Sequence, residues 1–174
     1  MDSHHKKVEY NNRWRDFGQC FYDYMYENFM EWPITSLQWG NILNSDPEEV
    51  TQRLYFSCRT DGIYNSSNQT WQNTPNYIIM STVELPTEDH YFINELKSLF
   101  NHDVAKKHPN MKIKNIITHP GEIIVIRASP ANKKMLASKS DCNEVYLWTS
   151  EKYKINSNAS FTNTPDMILN TTKS

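Results

Sequence analysis

Alternating apolar and polar residues dominate this chain after its first thirty positions. Short runs rich in β-branched and aromatic side chains, each bounded by polar turn residues, are typical of β-strands. The pattern predicts strands at Thr35–Trp39, Arg53–Cys58, Tyr77–Val83, Met111–Thr118, Ile123–Arg127, Met135–Ser138, Val145–Trp148 and Asp166–Asn170. We therefore expect a mainly β protein whose strands form two consecutive four-stranded sheets.

A different periodicity precedes the strands. Between residues 12 and 32 apolar side chains recur every three or four positions, which predicts an amphipathic N-terminal α-helix that ends before Pro33. The polar and basic residues 1–11 are expected to be disordered. Two roles stay open for the helix: both faces are buried in one fold, or one face meets a partner. The main stripe consists of Trp14, Phe17, Phe21, Tyr24 and Met25, and the second face of Tyr22, Tyr26 and Met30.

The spacing of the strands defines the expected organisation. Residues 33–118 form a first sheet with a long insertion at 88–107, residues 119–171 form a second sheet, and 172–174 are a tail. The Asn- and Ser-rich stretch from Ile63 to Asn73 is expected to be a loop. The two sets of four strands make an internal repeat, and such sheets bury their faces by stacking on neighbours.

Composition excludes several classes of partner. The formal net charge is −2, so no overall field attracts nucleic acid or an acidic membrane, and we expect neither sequence-specific nucleic-acid binding nor a membrane partner. The N-terminus lacks the apolar segment of a signal peptide, and no apolar run is long enough to span a bilayer. The three widely spaced cysteines indicate free thiols in a reducing compartment: Cys20, Cys58 and Cys142.

No arrangement of residues indicates catalysis. The four glycines form no phosphate-binding loop, and neither HExxH nor GxSxG occurs. The adjacent pairs Asp89-His90 and His102-Asp103 lack a nucleophile placed by any motif. We therefore predict a protein that is not an enzyme and that has no cofactor, no catalytic residue and no metal site.

The second set of strands has the order of a WD-type propeller blade. A His119-Pro120-Gly121-Glu122 turn leads into a strand ending at Ser129-Pro130, a strand of small residues follows, and a third strand ends in Trp148. The fold expected is thus a partial WD-repeat β-propeller of about two blades, since one blade takes roughly 40–45 residues. Such blades are recognition scaffolds.

The ordered motifs resemble the amino-terminal portion of the MSI-type, retinoblastoma-binding WD-repeat histone chaperones, in particular a plant-like subfamily. These are small subunits of chromatin assembly, deacetylase and Polycomb repressive complexes. The similarity covers about Val8 to Leu169. The matching residues are Trp14, Tyr22-Asp23, Glu31-Trp32-Pro33, Gln38-Trp39, Gln52-Arg53-Leu54-Tyr55, Thr60-Asp61-Gly62, His119-Pro120-Gly121-Glu122, Arg127, Val145, Leu147-Trp148, Pro165-Asp166 and Ile168-Leu169.

The resemblance implies two histone-binding surfaces. Phe21 and Tyr24 on the helix match positions that contact the first helix of histone H4, and Glu122 matches an acidic residue of the rim that binds the histone H3 tail. Ile124 and Val125 depart from the pattern, because the family has asparagine and arginine there.

Structural roles are the alternatives for the same residues. Phe21 and Tyr24 could pack the helix on the blades, and Glu122 could bond within its own loop. Trp39 and Trp148 are expected to fill the layer between the sheets, and His119 to form hydrogen bonds at a turn or strand end.

The resulting hypothesis is a nuclear, chromatin-associated, non-catalytic scaffold that binds histones H3 and H4 and corepressor or chromatin-assembly subunits. One alternative is a truncated or degenerate propeller fragment without independent function. Another is a propeller unrelated to chromatin, which would have no reason to carry a helix ending at Glu31-Trp32-Pro33.

Overall fold

The computed structural model describes residues 22, 28–60, 63–65, 70–72, 75–87, 110–141, 143–153 and 163–170. These residues form ten β-strands. In chain order the strands are β1 (Ile34–Ser45), β2 (Glu49–Cys58), β3 (Ile63–Asn65), β4 (Thr70–Gln72), β5 (Asn76–Pro86), β6 (Asn110–His119), β7 (Ile123–Ala128), β8 (Met135–Ser140), β9 (Glu144–Thr149) and β10 (Met167–Asn170).

Two antiparallel four-stranded sheets contain all the long strands. The first sheet has the order β1-β2-β5-β6 and the second the order β10-β9-β8-β7. Each predicted strand overlaps one of these eight, so the two predicted sheets of four are confirmed. The architecture is consistent with a partial WD propeller.

Two details of the predicted strands differ from the structure. β1 continues to Ser45 through register shifts, and its end pairs with Thr51 and Val50. The stretch Ile63–Asn73, expected to be a loop, contains the hairpin of β3 and β4. Its Asn- and Ser-rich composition favours turns, but antiparallel pairing across a short connection satisfies the same backbone groups.

The described part of the predicted helix is not helical. Tyr22 and residues 28–32 have no helical assignment, so the prediction of helix as far as residue 32 is wrong. Pro33 disfavours the α conformation at Trp32. Met30 and Trp32 instead pack against the first sheet. The other residues of the predicted helix, the segments 1–11 and 172–174, and the insertion 88–107 lie outside the described residues.

The main core lies between the two sheets. Side chains from one face of the first sheet meet side chains of the second sheet in a single apolar cluster. The members of this cluster are Tyr55, Ile78, Met80, Ile117, Ile123, Ile126, Leu136, Tyr146, Trp148 and Tyr153. Because strand residues alternate between faces, this set is the inward half of the pattern seen in the sequence.

The opposite face of the first sheet, here called the outer face, is also apolar. Leu54, Phe56 and Ile79 are buried there. Trp39 pairs with Leu54 across β1 and β2, so it lies on the outer face, where it is 43% exposed. The prediction that Trp39 fills the layer between the sheets is therefore wrong, because its register position turns it away from the second sheet.

Polar side chains connect the first strands of the two sheets. The Thr35 hydroxyl donates to the carbonyl of Ile123 at 2.8 Å, and the Ser36 hydroxyl accepts the amide N–H of Ile126 at 3.1 Å. These bonds place β1 beside β7. Within the described residues, no helix is long and apolar enough to cross a membrane.

Candidate functional site

Three turns of the two sheets meet at one end of the interface between them. Asn76, the first residue of β5, connects these turns through its side-chain amide. Its Oδ1 accepts the N–H of Thr60 at 2.9 Å, and its Nδ2 donates to the carbonyl of Gly121 at 2.7 Å. Gly121 has a positive φ of 73°, which a residue with a Cβ rarely adopts. The turn preceding β7 is thereby held against the end of β2.

Glu122 follows this turn with its backbone fixed from both sides. Its N–H donates to Asp141 Oδ1 at 2.9 Å, and its carbonyl accepts the N–H of Asp141 at 3.0 Å. Asp141 directly follows β8, so the second sheet itself positions Glu122. We call the surface formed by Arg59, Thr60, Asn76, Glu122 and Asp141 the upper rim.

The Glu122 carboxylate lies at the junction of the sheets. Its Oε1 is 3.2 Å from Nη1 of Arg59, which follows β2 of the first sheet. The side chains of Arg59 and Glu122 are 52% and 36% exposed, so solvent and a ligand can reach both. The partner comes from the other sheet and not from the loop of Glu122. Ile124, where the resembling family has asparagine, is exposed on β7.

His119 lies directly beneath the upper rim and is buried. Its Nδ1 is 3.3 Å from the carbonyl of Gly121, and its Nε2 is 2.8 Å from Oγ of Ser138. A carbonyl only accepts, so Nδ1 carries the proton and Nε2 accepts from the Ser138 hydroxyl. Ser138 Oγ in turn accepts the indole N–H of Trp148 at 2.8 Å. This relay uses the neutral imidazole.

Burial lowers the pKa of His119 from 6.5 to about 4, although the backbone of Gly121 and Pro120 and the charge of Asp141 oppose the shift. The imidazole is therefore neutral at physiological pH. The predictions that His119 is a hydrogen-bonding residue at a strand end and that Trp148 fills the layer between the sheets are confirmed. The role of Ser138 was missed, since a serine in a strand of small residues carries no distinctive signal.

Arg53 connects the sheets at the opposite end of the interface. Its Nη1 donates to Oγ of Ser150 at 3.1 Å and to the carbonyl of Lys133 at 3.4 Å. The Asn115 side chain donates to the carbonyl of Ser150 at 3.1 Å, and Lys134 forms an ion pair with Glu151 at 2.7 Å. Sequence reasoning assigned no role to these residues, because they are brought together only by stacking of the sheets.

The remaining site residues do not extend the upper rim. Phe21 and Tyr24 lie outside the described residues, so their predicted role remains a prediction. Among the residues that the structure describes, no cluster of His, Cys, Asp or Glu is arranged to hold a metal ion. Cys58 is buried, and burial raises the pKa of its thiol, which disfavours the reactive thiolate.

Comparison with protein families gives a match over the amino-terminal part of the chain. A family model for the histone-binding protein RBBP4, a component of the CAF1 complex, matches residues 9–87. This range includes the whole predicted helix together with β1, β2 and β5. It agrees with the resemblance noted in the sequence.

Individual relatives match over most of the chain. It is 29% identical over 140 residues to the WD-40 repeat-containing protein MSI4 of Arabidopsis thaliana, which covers 80% of this chain and 25% of that protein. It is 27% identical over 158 residues to the histone acetyltransferase type B subunit 2 of Encephalitozoon cuniculi, covering 90% and 36%. The subunit of the same name from Eremothecium gossypii is 28% identical over 125 residues, covering 72% and 26%. The chain thus spans between 25% and 36% of the length of these relatives.

Proposed function

The chain is an MSI-type histone-binding WD-repeat protein, and we propose on that premise that it is a non-catalytic scaffold that binds histones H3 and H4. The relatives named for histone acetyltransferase type B are subunits of that enzyme, which agrees with a scaffold role. We further propose that the protein acts in the nucleus, in chromatin-assembly, deacetylase or Polycomb-type repressive complexes.

The observation that carries the proposal for H3 is the Glu122 carboxylate. Its backbone is held by Asp141 on both sides, and its side chain is accessible at the junction of two sheets. Histone tails are rich in lysine and arginine, and a carboxylate on a rigid support accepts charge-assisted hydrogen bonds from such residues. Ile124, exposed beside it, offers apolar area to the same peptide.

We predict that Glu122→Gln weakens binding of a synthetic histone H3 amino-terminal peptide roughly three- to tenfold. A hydrogen bond to a charged group contributes about 1.5–3 kcal/mol, and exposure reduces this value. Fluorescence anisotropy with labelled peptide measures the change. Glu151→Gln is the matched control, because it removes the same charge from a carboxylate that is also paired with a cation, at the other end of the interface. Equal losses from both variants would indicate a general charge effect and contradict the assignment of Glu122.

The helix predicted for residues 12–32 is the proposed H4 surface. We expect Phe21→Ala/Tyr24→Ala to weaken binding of a peptide of the first H4 helix at least about tenfold, because aromatic anchors dominate such interfaces. Isothermal titration calorimetry gives the affinity. Tyr22→Ala/Tyr26→Ala, from the other face of the predicted helix, is the control. A lower thermal midpoint with unchanged affinity would instead indicate that Phe21 and Tyr24 pack on the blades.

The alternative of a fragment without independent function draws on the exposed apolar side chains. Leu37 and Trp39 on the first sheet and Met167 and Leu169 on the second are exposed in this chain. Such surfaces normally pack against neighbouring repeats. Failure of the purified chain to bind H3–H4 at micromolar concentrations, while remaining folded, would favour this alternative.

A further inference from the structure

We propose that Arg59 is an internal competitor for the upper rim: its guanidinium occupies the Glu122 carboxylate and must be displaced when a basic peptide binds. This inference rests on the proposed H3-binding function of Glu122. It adds a residue that tunes the affinity of that site and that nothing in the sequence pattern or in the resemblance identifies.

The geometry places Arg59 on Glu122 without any ligand. The N–H of Arg59 donates to the carbonyl of Pro33 at 3.0 Å, so its backbone is anchored to the segment before β1. Glu122 is anchored to Asp141 on the second sheet. From these two fixed positions the side chains meet at 3.2 Å between Nη1 and Oε1. The guanidinium therefore stands where a lysine or arginine of a peptide would bond.

The contact is not needed to hold the sheets together. The Asn76 bond to Gly121, the Thr35 bond to Ile123 and the apolar core already join them at this end. An exposed ion pair contributes only about 0–1 kcal/mol to stability. Since the Arg59 side chain is 52% exposed, it can turn into solvent with little desolvation cost when a competing cation arrives.

Competition has a defined effect on affinity. A peptide cation must replace Arg59 at Oε1 of Glu122, because two cations on one carboxylate repel each other. The binding free energy is then reduced by the value of the Arg59–Glu122 pair. For an exposed pair this corresponds to roughly two- to fivefold in the dissociation constant.

The test is peptide affinity after removal of the competing charge. We expect Arg59→Gln to bind the H3 amino-terminal peptide roughly two- to fivefold more tightly, with a smaller gain at high salt because screening weakens exposed charges. Arg59→Lys keeps the positive charge and is expected to bind like the unchanged protein. Lys134→Gln is the matched control, since it removes the same charge from the other end of the interface, where Lys134 pairs with Glu151.

The outcomes separate this inference from the proposed function. If Glu122→Gln leaves peptide affinity unchanged, the proposed H3 site fails. If Glu122→Gln weakens binding but Arg59→Gln does not strengthen it, or strengthens it no more than Lys134→Gln, the role of Arg59 is overturned. In the Glu122→Gln background, Arg59→Gln is expected to add nothing beyond the Lys134→Gln effect. A further gain there would also overturn the role of Arg59.

Discussion

Trp148→Ala is expected to lower the free energy of unfolding by about 3–5 kcal/mol, the usual loss when a large buried aromatic side chain is truncated. Trp148 is 0% exposed. Its ring lies 5.5 Å from His119, 6.0 Å from Tyr146 and 5.8 Å from Tyr153, measured between centroids. Truncation opens a cavity at the centre of the core and removes the indole donor from Ser138. Domains are stable by only about 5–15 kcal/mol, so this is a large share of the total.

The same substitution at a second tryptophan is the control. Trp39 is 43% exposed on the outer face, and Trp39→Ala is expected to cost about 1 kcal/mol or less. Urea denaturation followed by far-ultraviolet circular dichroism compares the two variants without relying on tryptophan emission. Similar losses from both variants would mean that the layer between the sheets does not dominate the stability of this chain.

Acidification from pH 6.5 to pH 4 is expected to remove about 3 kcal/mol of stability through His119 alone. The pKa is 6.5 in the unfolded chain and about 4 in the fold, and each unit corresponds to about 1.4 kcal/mol. Between these values the unfolded state binds the proton and the folded state does not, so stability falls as the pH falls. A protonated Nε2 would also face the Ser138 hydroxyl as a second donor, which breaks the relay to Trp148.

Denaturation at several pH values tests this linkage. His119→Gln removes the titrating group, so its stability is expected to change less between pH 6.5 and pH 4 than that of the unchanged protein, although its absolute stability is lower. His108→Gln removes a histidine elsewhere in the sequence and should retain the full pH dependence. Equal slopes for the unchanged protein and His119→Gln would contradict the buried, neutral state of His119.

The candidate site was predicted only in part. The His119-Pro120-Gly121-Glu122 motif located the turn, since glycine at a positive φ and a polar strand end are local features. Nothing local indicated Arg59 as the partner of Glu122, because 63 positions separate the two residues along the chain, as the difference between their numbers shows. The joining role of Asn76 was missed for the same reason, since it reaches two turns that are close only in the folded chain.

The sequence by itself determined the strands and the alternation of their two faces, because alternation along a strand and turn residues at its ends act over a few neighbouring positions. It also determined the repeat of two four-stranded sheets. Only the tertiary structure decided which face of each strand meets the other sheet. Register pairing turned Trp39 outward while Trp148 became the centre of the core. Stacking of the sheets likewise decided which charged groups meet, because electrostatic contacts such as Arg59–Glu122 depend on distances in space and not along the chain.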